Sequence, residues 1–247
     1  MEEEEEKKKK RRKPYDRHLF LRLMLILFLG FALSTCKACP NAGDGVLSIH
    51  LSTADPIPGS VRETWMREAI AAVVSLHGPC PFQPFGAVFV DHTLSQEGVK
   101  ICAGANHEIS DPTLHGEVAA IRNCVAKHGQ PRIGSFFKNL SLYSTAEPCP
   151  MCMSALRWAG VREVIFATTT PRLSEFGWGM IEIRAEEVNA KSVNVRDPVP
   201  YLLGEILTNE TDQFFTWQFD KSGKCPAGCA RDAKTSNLCV KKAVSSM

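Results

Sequence analysis

An α/β sandwich with a central mixed sheet is the fold class that this sequence predicts. Short apolar runs of strand length alternate with segments of helical period from Val61 to Phe176, and such alternation lays helices over the faces of a sheet. One run, Glu163–Thr169 (EVIFATT), is apolar at nearly every position, as a parallel strand covered on both faces requires. The 247 residues, 44% hydrophobic and 23% charged, suffice for one sizeable core.

From the amino terminus, Glu2–Glu6 and Lys7–Lys13 are opposed charge blocks that can bury nothing. Leu23–Leu33 (LMLILFLGFAL) is then unbroken in its apolarity. It is shorter than the roughly 20 residues of a bilayer span and fits the core of a signal peptide. With bases before it and Ser34, Thr35 and Ala38 after it, residues 1–38 read as a leader cleaved after Ala38. That sends the chain to the secretory pathway, extracellular or lumenal. The alternative is an uncleaved membrane anchor through residues 19–33. Residues 39–60, rich in Gly, Pro, Ser and Asp, read as a linker. Two sequons, Asn139-Leu140-Ser141 and Asn209-Glu210-Thr211, are glycosylation acceptors in a secreted chain.

A domain over residues 61–220 follows. Val61–Leu76 has helical spacing, with Ser60 and Glu63 placed as a capping box. Phe85–Val90 and Ile101–Ala105 read as adjacent strands. His115–His128 reads as a helix with Val118, Ala119, Ile121, Cys124 and Val125 inward. Leu140–Thr145 is the next strand, and Pro150–Ala159 a helix whose proline sits where a missing N–H costs nothing. After the Glu163–Thr169 strand, Arg172–Phe176 and Pro198–Phe219 read as helices. Residues 221–247 form a Gly/Cys/Lys-rich tail, either disulfide-clipped or disordered.

Two stretches carry chemistry: His115-Gly116-Glu117 and Pro148-Cys149-Pro150-Met151-Cys152. One imidazole and two thiolates make a zinc site whose fourth tetrahedral position is open to water, as in a catalytic rather than a structural zinc. Glu117 is not needed as a ligand, so it is free to move protons.

In the order Pro84-Phe85-Gly86-Ala87-Val88, Asn106, Asp111-Pro112-Thr113, His115-Gly116-Glu117 and Glu147-Pro148-Cys149-Pro150-Met151-Cys152, the chain resembles the cytidine deaminase superfamily. It is most similar to the branch of guanine deaminases, tRNA-adenosine deaminases and fungal-type cytosine deaminases, over roughly Val61 to Lys191. The resemblance implies a three-layer α/β/α sandwich on a five-stranded sheet. It implies one Zn2+ per chain on His115, Cys149 and Cys152, with zinc-bound water as nucleophile and Glu117 as proton shuttle. It implies that Asn106 holds the substrate, whereas the residues alone also allow a turn asparagine capping the loop to Asp111. Gly116 and the N–H groups around Cys149 are further candidate substrate contacts. Of the aromatics Phe85, Phe176 and Trp178, only Trp178 falls where the family places its substrate-side loop. Relatives suggest a homodimer. Two departures stand out. Gly116 replaces the usual alanine and reads as a loosening of the helix start. Gly179 stands where guanine deaminases carry an acidic residue, and Glu182 is the nearest carboxylate.

The substrate expected is therefore a small-molecule base or nucleoside, purine ahead of cytosine, whose exocyclic amine is released as ammonia by hydrolysis. Of 29 Lys/Arg and 27 Asp/Glu, ten and six lie in residues 1–38, leaving a body of net charge −2. Such a body exerts no net pull on a polyanion, which counts against nucleic acid and against the rival reading, a tRNA-specific adenosine deaminase. A reading of another class makes Cys149–Cys152 an oxidised pair in an inactive redox or binding module. Cys102 and Cys124 read as buried free thiols, and Cys39, Cys80, Cys225, Cys229 and Cys239 as disulfide candidates.

Overall fold

A computed structural model describes residues 57–107, 111–129, 135–195, 197–234 and 238–242. The leader or anchor, Cys39 and nearly all of the linker lie outside the described residues. Elements follow in the order α1 (Gly59–His77), β1 (Gly86–Asp91), β2 (Val99–Ala105), α2 (Gly116–His128), β3 (Leu140–Ala146), α3 (Pro150–Ala159), β4 (Glu163–Thr168), α4 (Thr170–Glu175), α5 (Ala185–Lys191), β5 (Tyr201–Leu203), α6 (Thr208–Phe215), β6 (Cys229–Arg231) and β7 (Cys239–Lys241). Among the described residues no helix is long and apolar enough to cross a membrane.

Five strands form one mixed sheet in the order β2-β1-β3-β4-β5. β1 runs antiparallel to β2 and β3, and β3, β4 and β5 run parallel. The two-residue side-chain period of a strand sorts the core into two layers. Ala87, Phe89, Leu140, Leu142 and Val164 point to one face and meet Ala120 and Cys124 of α2 and Met153 and Leu156 of α3. Val88, Val90, Tyr143, Ile165 and Ala167 point to the other and meet Met66 and Ala69 of α1. The three-layer sandwich on a five-stranded sheet is thus present.

Registers bring the start of β1, the end of β2 and the end of β3 to one edge, since Gly86 pairs with Ala105 and Ala87 with Ser144. The segments that follow β2 and β3 carry the two chemical motifs, so this edge holds the site. α2 can lie this close to β2 because of a glycine. A Cβ on Gly104 would collide with the backbone N of Ala120 and stand 2.6 Å from the carbonyl carbon of Ala119. The margin of the sheet at β2 is occupied by α2 side chains, with Asn123 donating to the Ala103 carbonyl (2.8 Å) and Lys127 to that of Ile101 (2.9 Å).

The structure corrects several expectations. α1 starts two residues early, with Pro58 at the N-cap and no side-chain cap. Ser60 instead takes the Thr64 hydroxyl on its carbonyl and Glu63 pairs with Arg67, so the capping box is not formed. The expected helix over Pro198–Phe219 is broken into β5 and α6. Tyr201–Leu203 is drawn to the free edge of β4, and Glu205 and Leu207 adopt φ of 63° and 64°, which ends any helix between them. α5 was not expected, because AEEVNAK offers only Ala185 and Val188 to the core. Cys102 and Cys124 are not free thiols. β2 packs on α2 so that their Cα atoms lie 5.3 Å apart and the sulfurs are joined.

The described part of the tail is disulfide-clipped. Cys80 joins Cys229 and Cys225 joins Cys239, and β6 and β7 pair as a small antiparallel hairpin. These cysteines pack against the buried ring of Trp217. The Arg231 guanidinium donates to the carbonyls of Trp217 and Gly223, which fixes the hairpin to the body.

Candidate active site

β2 ends at Ala105, and Asn106 turns the chain. Its backbone N–H donates to Phe85 O (2.9 Å), and its side-chain carbonyl accepts the Gly116 N–H (2.7 Å). His77 Nε2 lies 2.7 Å from the Asn106 carbonyl, so that nitrogen carries the proton. Asn106 therefore satisfies an orphan donor in the first turn of α2. Just before α2, the N–H and hydroxyl of Thr113 both donate to Asp111 Oδ1.

His115 is the N-cap of α2 and Cys149 the N-cap of α3, with Pro150 in the first turn. Both helices thus open on a ligand. The sulfurs of Cys149 and Cys152 each lie 3.6 Å from His115 Nδ1. An ion held tetrahedrally about 2.3 Å from sulfur and about 2.0–2.1 Å from nitrogen keeps those donors about 3.6 Å apart. The donor set and its spacing fit Zn2+, and the three ligand atoms all lie within 4.8 Å of one another. The two thiols are close enough for the titration of each to depend on the other. The hydrogen bond from Cys152, and then His115, bring Cys149 down to about 4, while that shared bond and burial push Cys152 up. A cation entering here displaces any thiol proton and leaves two thiolates. Cys149 and Cys152 are free, whereas the other six described cysteines are paired. The oxidised-pair reading has no counterpart in this geometry.

Glu117 sits in the first turn of α2, 6% exposed, and is not among the metal-ligating group. Burial first, and the nearby Cys149 second, raise its pKa above the usual carboxylate value. Ser144 Oγ on β3 donates to Glu117 Oε1 (3.3 Å), a contact that sequence spacing does not signal. Gly116 is not a loosening. A Cβ there would lie 2.8 Å from Phe85 O, so the missing side chain lets α2 seat against the Phe85–Gly86 backbone. The Gly116 N–H is given to Asn106.

The structure puts Trp178 in an aromatic cluster. Its ring meets those of Phe85 and Phe219 edge-on, each 5.1 Å away, and its N–H donates to Phe215 O. Phe85 links this cluster to Asn106 and Gly116, so Trp178 can only offer ring surface to the site. Phe176 lies under the Arg172 guanidinium. The most densely bonded group near the ligands is Glu147, whose role the sequence did not give. Its carboxylate accepts from Arg184 Nε, Ala185 N and Thr170 N.

Residues 60–168 match the family described as the cytidine and deoxycytidylate deaminase zinc-binding region. The guanine deaminase of Bacillus subtilis is 32% identical over 119 residues, 47% of this chain and 70% of that one. The chain belongs to the cytidine deaminase superfamily. As a member, it is a zinc enzyme, a hydrolase acting on C–N bonds. A tRNA-specific adenosine deaminase of Agrobacterium fabrum is 33% identical over 89 residues, 36% of this chain, and the match spans about half (54%) of that relative. Among solved structures, a guanine deaminase from Nitrosomonas europaea superposes with TM-score 0.50 at 18% identity, over 71% of this deaminase and 97% of that chain. At that identity the likeness shows the fold alone.

Proposed function

We propose that this deaminase removes the exocyclic amino group of a free nucleobase or nucleoside, a purine before cytosine, by hydrolysis. The observation that carries this reading is Glu117, buried and unligated beside the His115, Cys149 and Cys152 triad. The similarity to the Bacillus subtilis guanine deaminase supports a purine, and the −2 charge of the body supports a neutral small substrate.

Zinc on the triad would supply a Lewis acid that lets water ionise near neutral pH. Glu117 takes a proton from the attacking water at a carboxylate oxygen, and passes it to the ring nitrogen next to the amine-bearing carbon. Oxygen adds to that carbon. Glu117 then takes the hydroxyl proton and gives it to the amine, the C–N bond breaks, and ammonia leaves with a carbonyl left behind. A carboxylate that must hold protons in turn needs a raised pKa, which burial supplies. Ser144 holds one oxygen of that carboxylate, and Asn106 ties the start of α2 to Phe85 and to the end of α1. The same reading takes residues 1–38 as a leader to the secretory pathway, and the three disulfides among the described residues support an oxidising compartment. A homodimer belongs to the same reading, supported by Met151 and Trp158 exposed on α3.

The rival, a tRNA-specific adenosine deaminase, draws on the Agrobacterium fabrum relative and on the exposed lysines 221, 224, 234, 241 and 242 of the tail. Ammonia release from guanine, guanosine, adenine, adenosine, cytosine, cytidine and tRNA decides between them. Turnover of a free purine is expected. Release from tRNA alone overturns the proposal.

A further inference from the structure

Glu147 stands two residues before the first thiolate ligand, and its side chain is 1% exposed. Its backbone N–H donates to Thr168 O at the end of β4 (2.8 Å). Its carboxylate gathers donors from two elements downstream. Oε2 accepts from the N–H of Thr170, the first residue of α4, at 2.9 Å. Oε1 accepts from the N–H of Ala185, the first residue of α5, at 2.9 Å. Arg184 Nε lies 2.8 and 2.9 Å from the two oxygens. Every donor here is an N–H, so the site is built for two acceptor oxygens and for negative charge. A fully buried carboxylate is costly unless paired and hydrogen-bonded, and this one is both.

Arg184 closes the segment that begins at Gly177 and carries Trp178. A single carboxylate therefore joins the metal-ligand loop to the loop expected beside the substrate. On this basis, and resting on the zinc deaminase reading, we infer that Glu147 is a positioning residue. It fixes the Glu147–Cys149 backbone, and so the Cys149 sulfur, by binding the starts of α4 and α5 through Arg184 and two amides. Glutamine cannot replace it, because its amide N–H2 would face a backbone N–H. Arg184 is 41% exposed at its side chain and supplies only part of the arrangement, so its loss is milder.

The test uses the zinc-loaded full chain and three variants. Glu147→Gln is expected to yield zinc to a chelator on the order of 10-fold faster than the wild type, the size of effect seen when partners that orient a metal site are removed. In metal-free protein the amides of Thr170 and Ala185 should exchange hydrogen faster as well. Glu163→Gln is the control. It breaks the buried pair with Arg62 at the other end of β4, so it should lower Tm without hastening zinc loss. Arg184→Gln should change zinc loss in the same direction as Glu147→Gln but less, and it gives the reading if Glu147→Gln does not fold. Zinc loss at the wild-type rate from these Glu147 and Arg184 variants, or equally fast loss from Glu163→Gln, overturns the inference. A wild type that releases no ammonia from any base or nucleoside, with Glu147→Gln still shedding zinc, sinks the substrate proposal and leaves the positioning role standing.

Discussion

At Glu117 a single side chain separates metal binding from turnover. Glu117→Ala should bind about one zinc per chain, because the triad is intact, while kcat falls by about 10²–10⁴-fold or more, the range of general acid–base contributions. Metal analysis beside ammonia release checks both halves, and retained turnover would remove the proton-shuttle role. His92 offers a different measurement. Its Nδ1 faces the Gln96 carbonyl and its Nε2 the Tyr143 hydroxyl, and desolvation lowers its pKa below 6.5, with Glu163, Arg62 and Arg162 as charged neighbours. The unfolded chain therefore binds the proton first, so this contribution to stability is present above pH 6.5 and is lost as pH falls below it. Urea unfolding at pH 7.5 and 5.5 should show a larger loss for the wild type than for His92→Gln. Equal losses would refute it. The clustering of His115, Cys149 and Cys152 was legible because residue type and short spacing define it. The contacts that Asn106, Gly116 and Trp178 make within the protein were not, because their partners (Gly116 N, the Phe85 backbone, Phe215 O) come from distant parts of the chain.

Two elements, α2 and β2, decide how rigidly His115 and Glu117 are held. Gly104 permits their close approach, so Gly104→Ala must push the helix off the strand. Overpacking of this kind costs about 1–3 kcal/mol. A fall in Tm with weakened zinc retention is the expected outcome, and an unchanged Tm would show that the contact can relax. The pattern of α2 predicted most of its inner face, since Ala119 and Cys124 are buried and Ile121 and Val125 border the core, but Val118 is only half-buried and the fully buried Ala120 was missed. What the pattern missed was that Cys124 meets Cys102 across that seam. Periodicity shows that both residues face inward, but not that they face each other. Likewise Tyr201–Leu203 reads as helix until a strand edge is known to be waiting for it. The left-handed residues that separate it from α6 are Glu205 and Leu207, neither of which is a turn signal by composition.

Across the whole molecule, the α/β sandwich with a mixed sheet was readable from the alternation of apolar runs, its three layers on five strands from the family resemblance, and the site from two motifs that the sheet brings to one edge. The tail was not, because cysteine spacing does not set pairing. Cys80 and Cys229 are separated by 149 residues and close nearly the whole described body into one loop. Replacing both with serine should cost about 2–5 kcal/mol, as for native disulfides of secreted domains, and thermal unfolding with and without reductant reads it. A Tm that matches the wild type would mean that the Trp217 cluster holds the hairpin unaided. The contacts of Asn123 and Lys127 with the Ala103 and Ile101 carbonyls reach beyond the site. They plug two acceptors that an intruding strand would need, so β2 is a poor template for edge-to-edge zippering and fibril growth from that flank is disfavoured.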